Sequence, residues 1–141
     1  MFGEGTRVEV SCDRENYGVA WFVGTILKVI GKINFLVEYE YPRVGDNGME
    51  LLLKEIVDMQ YIRPCPPTLE FTSFNVLDEV EGFHQNVWFA GVVSVILPGP
   101  RYVVKHKHKE EEMVLDHTSL RPRCVWDNGR WVHISRVLNY F

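Results

Sequence analysis

The chain carries one short pattern twice. Trp21-Phe22-Val23-Gly24-Thr25-Ile26 returns as Trp88-Phe89-Ala90-Gly91-Val92-Val93. A Val-Glu pair precedes each copy, Val8-Glu9 and Val80-Glu81, and an alternating stretch follows each, residues 35–41 and 102–108. Each copy closes on an apolar-Arg-Pro step, Ile62-Arg63-Pro64 and Leu120-Arg121-Pro122. Self-similarity of this kind marks repetition of one small supersecondary unit. The expected molecule is therefore two copies of a β unit and not one enzyme active site.

Strand propensity and turn residues order the first copy. Residues 7–11 alternate apolar and polar, and residues 12–20 form a polar loop with Asn16, Tyr17 and Gly18. A second strand is predicted over 21–29, a turn at Gly31-Lys32, and a third strand over 33–41, rich in β-branched and aromatic residues. Residues 42–48 read as a loop. Residues 51–57 are apolar without a clear period; a strand or a helical turn fits, and a strand is expected. The second copy repeats the order, with residues 77–83 leading to a loop, then strands over 88–97, 102–108 and 112–116. Residues 125–132, centred on Asn128-Gly129, carry the signature of a tight hairpin. No segment has the period of a long amphipathic helix.

Trp21 to Arg63 spans 42 positions and Trp88 to Arg121 spans 33. The difference places an insertion near residues 44–52 of the first copy. Pro64-Cys65-Pro66-Pro67 reads as a stiff, extended connector. A lone β-barrel of about 60 residues is marginal by burial. The two copies are accordingly expected to pack as one unit, helped by the aromatic tail of Trp126, Trp131, Tyr140 and Phe141.

Charge narrows the function. Residues 1–70 hold 7 basic and 11 acidic side chains, 7 − 11 = −4, whereas residues 71–141 hold 8 of each. An acidic first half attracts basic partners and repels a phosphate backbone, the reverse of a nucleic-acid footprint. The apolar runs are too short to span a bilayer, and no signal peptide or lipidation motif is present, so a membrane partner is not expected. Three scattered cysteines fit reduced thiols better than a disulfide framework.

Five aromatics crowd the first copy: Tyr17, Trp21, Phe22, Tyr39 and Tyr41. In a small curled barrel the end of the first strand, the start of the second and the end of the third meet at one rim. Rings beside carboxylates at such a rim suit a methylated ammonium, which is attracted to ring faces and is cheap to dehydrate. Period-two geometry sets Tyr39 and Tyr41 on one face and Glu38 and Glu40 on the other. It also sends Trp21 and Phe22 to opposite faces, one to the core and one to the rim. The competing reading, at about even odds for any one ring, is that these aromatics are barrel core. Candidate acidic contacts for a basic peptide are Asp13, Glu15, Glu38, Glu40, Asp46 and Glu50.

At matching places the second copy has Phe83, Trp88, Phe89, His106 and His108. Histidine makes a poorer cage wall, so this copy reads as a degraded site serving packing or peptide positioning. Lys105-His106-Lys107-His108-Lys109 reads as a solvated strand balanced by Glu110-Glu111-Glu112, since no Cys or His has zinc-finger spacing. No nucleophile elbow, phosphate loop or metal motif appears, so neither catalysis nor a cofactor is expected.

These features together resemble the Agenet domain, a plant Tudor-like member of the Royal superfamily. The resemblance rests on the paired Val-Glu strands, Trp-Phe-x-Gly, the aromatic third strand and the closing Arg-Pro. The ending Leu120-Arg121-Pro122-Arg123-Cys124-Val125-Trp126-Asp127-Asn128-Gly129-Arg130-Trp131 is similar to the close of a second module in tandem Agenet proteins. It implies an all-β fold of two five-stranded, bent Tudor-like barrels packed as a tandem, here residues 1–67 and 71–141. It also implies a nuclear reader of histone tails; the known ligand in plant multi-Agenet proteins is dimethylated lysine nine of histone three. Tudor cages draw on the first loop, the second strand and the end of the third. Carried onto this chain, those positions are Tyr17 or Trp21, then Phe22, then Tyr39 with Tyr41. The alternatives are a protein-interaction module without methyl-lysine recognition and an RNA or DNA binder using residues 105–109 and 121–123.

Overall fold

The computed structural model describes residues 2–41, 53–68 and 73–134. Within them the chain is all-β, with two 3-10 turns and no α-helix. It divides into two compact units, Met1–Cys65 and Pro66–Phe141.

The first unit comprises β1 (Arg7–Ser11), β2 (Ala20–Ile30), β3 (Asn34–Tyr39), β4 (Lys54–Asp58) and β5 (Ile62–Pro64). Every pairing is antiparallel, β4 with β3, β3 with β2, β2 with β1, and β5 back onto β1. Strand β2 is long enough to serve both neighbours. Its register shifts between Ile26 and Lys28, an irregularity that bends a strand and lets the sheet curl. Alternation then sorts the side chains. Phe35, Val37 and Tyr39 of β3 face inward and join Val8, Val10, Ile26, Val57 and Ile62 in one core, with Phe2, Phe22, Met59 and Tyr61 packed against it. A 3-10 turn, Met59–Tyr61, carries the chain from β4 to β5, and the Asp58 carboxylate caps it by accepting from the Gln60 amide.

The glycine of the repeated motif has a steric cause. A Cβ on Gly24 would lie 2.6 Å from Val37 Cγ1 and 2.9 Å from the Glu38 carbonyl oxygen. On Gly91 it would lie 2.6 Å from Val104 Cγ1 and 2.9 Å from the Lys105 oxygen. In both units the third strand passes too close for any side chain there.

The second unit repeats the plan in β6 (Glu79–His84), β7 (Val87–Leu97), β8 (Arg101–His106), β9 (Glu112–Asp116) and β10 (Leu120–Asp127), with a 3-10 turn, His117–Ser119. Two differences matter. Its first loop is a two-residue turn, Gln85-Asn86, with φ of 52° and 66°, where the first unit has residues 12–19. Strand β10 runs past Pro122 to pair with β11 (Arg130–Ile134). Asn128 and Gly129 both have positive φ at that turn, the conformation the Asn-Gly signature requires.

Several predicted boundaries shift. Strand β3 ends at Tyr39, before Tyr41, and β8 ends at His106, before His108. The strand predicted from 77 begins at Glu79, because Leu77 has a positive φ in the preceding turn. Pro64 belongs to β5, opposite Val8, and not to the connector. Strand β5 pairs on one side only, where a missing amide donor is tolerated. The insertion near 44–52 and the tail residues Tyr140 and Phe141 lie outside the described residues.

Candidate functional site

The three repeated signatures meet in one structural unit. Glu9 stands opposite Arg63, and its Oε1 accepts from Arg63 Nη2 at 2.8 Å and Nε at 3.1 Å. The same guanidinium covers the Trp21 ring, 3.8 Å from its centroid. In the second unit Glu81 accepts from Arg121 Nε at 2.9 Å, and that guanidinium lies 3.9 Å from the Trp88 centroid. A buried carboxylate needs such a partner, and the indole face shields the ion pair from water. Val-Glu, Trp-Phe and Arg-Pro therefore recur for architecture.

Four of the five first-copy rings stand in two pairs, with Trp21 and Phe22 on opposite faces of β2. Trp21 is 2% exposed and has Tyr17 edge-on, centroids 5.3 Å apart. Tyr17 is 49% exposed, and burial of its hydroxyl raises its pKa while the charge of Arg63 opposes the shift. Phe22 lies on the inner face, edge-on to Tyr39 at 5.8 Å. Tyr41, 37% exposed, follows the end of β3. Phe22 and Tyr39 thus form a ring pair on the inner face, at the edge of the core, whereas one face of Trp21 already carries Arg63.

Three further residues gather at the Tyr39 hydroxyl. Glu55 is opposite Val37 and shares the inward parity of Val57. The Tyr39 hydroxyl donates to its Oε1, which also accepts from Arg14 Nη2 at 2.9 Å. Burial first, and then Glu55, push the Tyr39 hydroxyl well above the usual phenol range, so it stays protonated as a donor. Arg14 comes from the loop between β1 and β2; its Nη1 donates to the Ser11 carbonyl. Its guanidinium lies 5.2 Å from the Tyr61 ring centroid. Glu55 and Tyr61 therefore hold a cation, with the Tyr39 hydroxyl on the same carboxylate and Phe22 edge-on to Tyr39. The Arg14 and Glu55 side chains remain 31% and 27% exposed, so the position is open to solvent on one side.

Arg14, Glu55 and Tyr61 were not among the residues expected from sequence. Glu55 has a signal in hindsight, an inward-facing carboxylate two positions from core Val57. The expected acidic contacts are distributed differently. Asp13 is committed to its own loop, accepting from the Asn16 side chain and from the amides of Asn16 and Glu15, which hold its carboxyl below the usual range. Glu40 pairs with Arg7 at 2.6 Å. Glu15 and Glu38 are exposed. Asp46 and Glu50 lie outside the described residues.

The second unit lacks this constellation. His106 takes the place of Tyr39, opposite Gly91 as Tyr39 is opposite Gly24, and stacks on Phe89 at 5.1 Å and 8°. Its Nδ1 accepts from the His108 amide at 3.0 Å. Burial foremost, then Lys109 and His108, hold its pKa below the ordinary imidazole value, with Glu111 opposing. Met113 stands where Glu55 stands, opposite Val104, and Ser119 closes the 3-10 turn where Tyr61 does. The two-residue first turn offers no counterpart to Arg14. Lys107 and Arg123 both donate to Glu79, and despite the opposing effect of burial they keep its carboxyl below the usual range. Among the described residues no group of three or more His, Cys, Asp or Glu is arranged to hold a metal ion.

Comparison with known proteins completes the description. A family model described as the Agenet domain matches residues 5–67. DUF724 domain-containing protein 6 of Arabidopsis thaliana is 34% identical over 134 residues, 93% of this chain and 19% of that protein. Protein AGENET DOMAIN (AGD)-CONTAINING P1 of the same organism is 36% identical over 131 residues, 93% of this chain and 25% of that protein. The chain thus spans a quarter or less of these two relatives. The crystal structure of Arabidopsis thaliana AGDP1 AGD34 superposes with a TM-score of 0.81 at 34% identity, covering 94% of this chain and 89% of that one. The ADCP1 tandem Agenet domain 3-4 gives 0.79 at 32%, covering 94% and 87%.

Proposed function

The chain belongs to the Agenet domain family as a tandem of two modules, and on that premise we propose that its first module binds a methylated lysine on a histone tail. Tandem Agenet domains are non-enzymatic protein-interaction modules. The observation that carries the finer reading is the Arg14 guanidinium held by Glu55 over the Tyr61 ring, with Tyr39 bonded to the same carboxylate and Phe22 edge-on to Tyr39. Ring faces beside a carboxylate stabilise a cation, and a methylated ammonium is the cation that loses least hydration on entering. Exposed Glu15 and Glu38, on a half of the chain with net charge −4, complement a basic peptide. The proposed ligand is histone three dimethylated at lysine nine, and the proposed setting is nuclear, heterochromatic chromatin. A peptide array of modified histone tails tests this directly; retention of methylated peptides over unmodified ones supports it, and uniform retention refutes it.

One observation favours a second reading, a peptide-binding module indifferent to methylation. Tyr39 is only 5% exposed and belongs to the barrel core. On that reading Tyr39→Ala unfolds the module without a selective loss of methyl-peptide binding. Nucleic-acid binding has less support, because Lys107 and Arg123 are held by Glu79 and Arg121 by Glu81.

A further inference from the structure

We infer that Arg14 is a resident competitor for the first-module site: its guanidinium fills the position of the incoming methylated ammonium, and a peptide binds only by displacing it. The inference rests on the reading of that site given above. Three contacts hold Arg14 there, the ion pair with Glu55, the ring face of Tyr61 and the Ser11 carbonyl. A ligand ammonium placed between Tyr39 and Tyr61 meets the same carboxylate and the same ring. The two cations compete for that carboxylate and that ring face, and their like charges repel.

The loop that carries Arg14 is built to let the side chain leave alone. Its backbone is fixed from within. Asp13 accepts from the Glu15 and Asn16 amides, Ser11 Oγ donates to the Asp13 carbonyl and accepts from the Gly18 amide, and the Val19 amide donates to the Asn16 carbonyl. None of these bonds involves the Arg14 side chain. Displacement therefore needs rotation about side-chain bonds, not refolding of the loop. The side chain is partly exposed, so its guanidinium recovers hydration when it swings out. The second unit provides the internal contrast: it has lost the first-loop arginine, the carboxylate and the second ring together, as expected if the arginine's place depends on the site it fills.

A binding-competent state that is populated only when Arg14 is out lowers the apparent affinity by the open fraction. Removing Arg14 is expected to tighten peptide binding roughly three- to thirty-fold, the combined scale of a partly exposed ion pair and an exposed cation–ring contact. The experiment is calorimetric titration of the full chain with a histone three tail peptide, dimethylated at lysine nine or unmodified, using wild type, Arg14→Ala, Arg14→Gln, Phe22→Ala and Tyr39→Ala. Arg14→Gln retains an amide donor for the Ser11 carbonyl and guards against loss of the loop. Tighter binding by the Arg14 variants, with preference for the methylated peptide kept, supports the inference. Equal or weaker binding by both Arg14 variants, while Phe22→Ala or Tyr39→Ala loses that preference, overturns it and leaves the methyl-lysine reading standing. If no protein in the series prefers the methylated peptide, the reading fails and the inference with it. Nitrogen NMR of the wild-type chain needs no variant: saturating methylated peptide must move the Arg14 Nε–H signal to a solvent-exposed position, and an unmoved signal contradicts displacement.

Discussion

The Arg63 guanidinium lies over the Trp21 indole, 3.8 Å from its centroid, and donates from Nη2 to Glu9 Oε1 at 2.8 Å. All three residues are buried in the first unit. Truncating one member strands the charge of another in a poorly hydrated place, which costs about 3–5 kcal/mol. Glu9→Ala and Arg63→Ala are each expected to lose that much in chemical denaturation. The joint change Glu9→Leu with Arg63→Met should lose far less, because no charge is left behind. Arg121→Ala should cost less than Arg63→Ala, since Arg121 is partly exposed.

Gly24→Ala and Gly91→Ala are expected to destabilise the chain by about 1–3 kcal/mol each, the scale of overpacking a close contact. The added methyl meets a backbone oxygen in both units, which cannot swing aside as a side chain can. Thermal melting checks this, with Gly31→Ala as a comparison whose cause is backbone strain at φ 64° and not crowding.

The pH dependence of stability should carry a signature of His106. Its folded pKa is depressed by burial, Lys109 and His108, while Glu111 acts the other way. Above the ordinary imidazole value it is neutral in both states and contributes no slope. As pH falls below that value the unfolded chain takes the proton first, so stability falls until the folded pKa is passed. Glu79 acts in a separate, more acidic window. Its folded pKa is lowered, so its contribution is present above the ordinary carboxylate value and is lost as pH falls through the folded one. Denaturation of wild type and His106→Gln between about pH 7.5 and 5.5 should show a steeper decline in wild type, this being the range where an imidazole titrates.

One ion pair recurs with its polarity reversed. Arg7 and Glu40 in the first unit become Glu79 and Lys107 at the same register positions of the second. Each pair is neutral in itself, so the net charge of −4 on residues 1–70 stands, with Glu15 and Glu38 exposed. Affinity for a basic peptide should therefore fall with added salt, exposed charges being screened over about 10 Å at 0.1 M. Glu38→Gln should weaken binding at low salt and flatten that dependence in titrations across ionic strength. A salt-independent affinity would count against a basic tail as ligand.

Much of the fold was legible because each repeated motif has a single physical cause. Period-two alternation set Tyr39 on the face opposite Glu38, which the structure shows to be the inward one, and Asn128-Gly129 specified its turn. The doubled Glu, Trp and Arg announced two equivalent units, and within each unit the three side chains pack on one another. The site was less legible for the same reason. Trp21 draws attention as an exposed-rim aromatic until Arg63 is found on its face, a contact that bridges 42 positions of sequence. Arg14 lies in an irregular loop with no period to orient it. Glu55 and Tyr61 sit on a short strand and a single 3-10 turn, where a shift of one residue would turn the side chain to the other face.

The central claim is that Phe22, Tyr39 and their neighbours recognise a methylated ammonium. Its most direct test is calorimetric titration of folded wild type and Phe22→Ala with the histone three peptide dimethylated at lysine nine and with its unmodified form. Wild type is expected to prefer the methylated peptide, and Phe22→Ala, which removes a ring without touching Glu55, is expected to lose about 1–2 kcal/mol of binding to it, the scale of a partly desolvated cation–ring contact, while its weaker binding of the unmodified peptide stays nearly unchanged. Equal affinity of wild type for the two peptides, or a Phe22→Ala protein that keeps the full preference, would contradict the account.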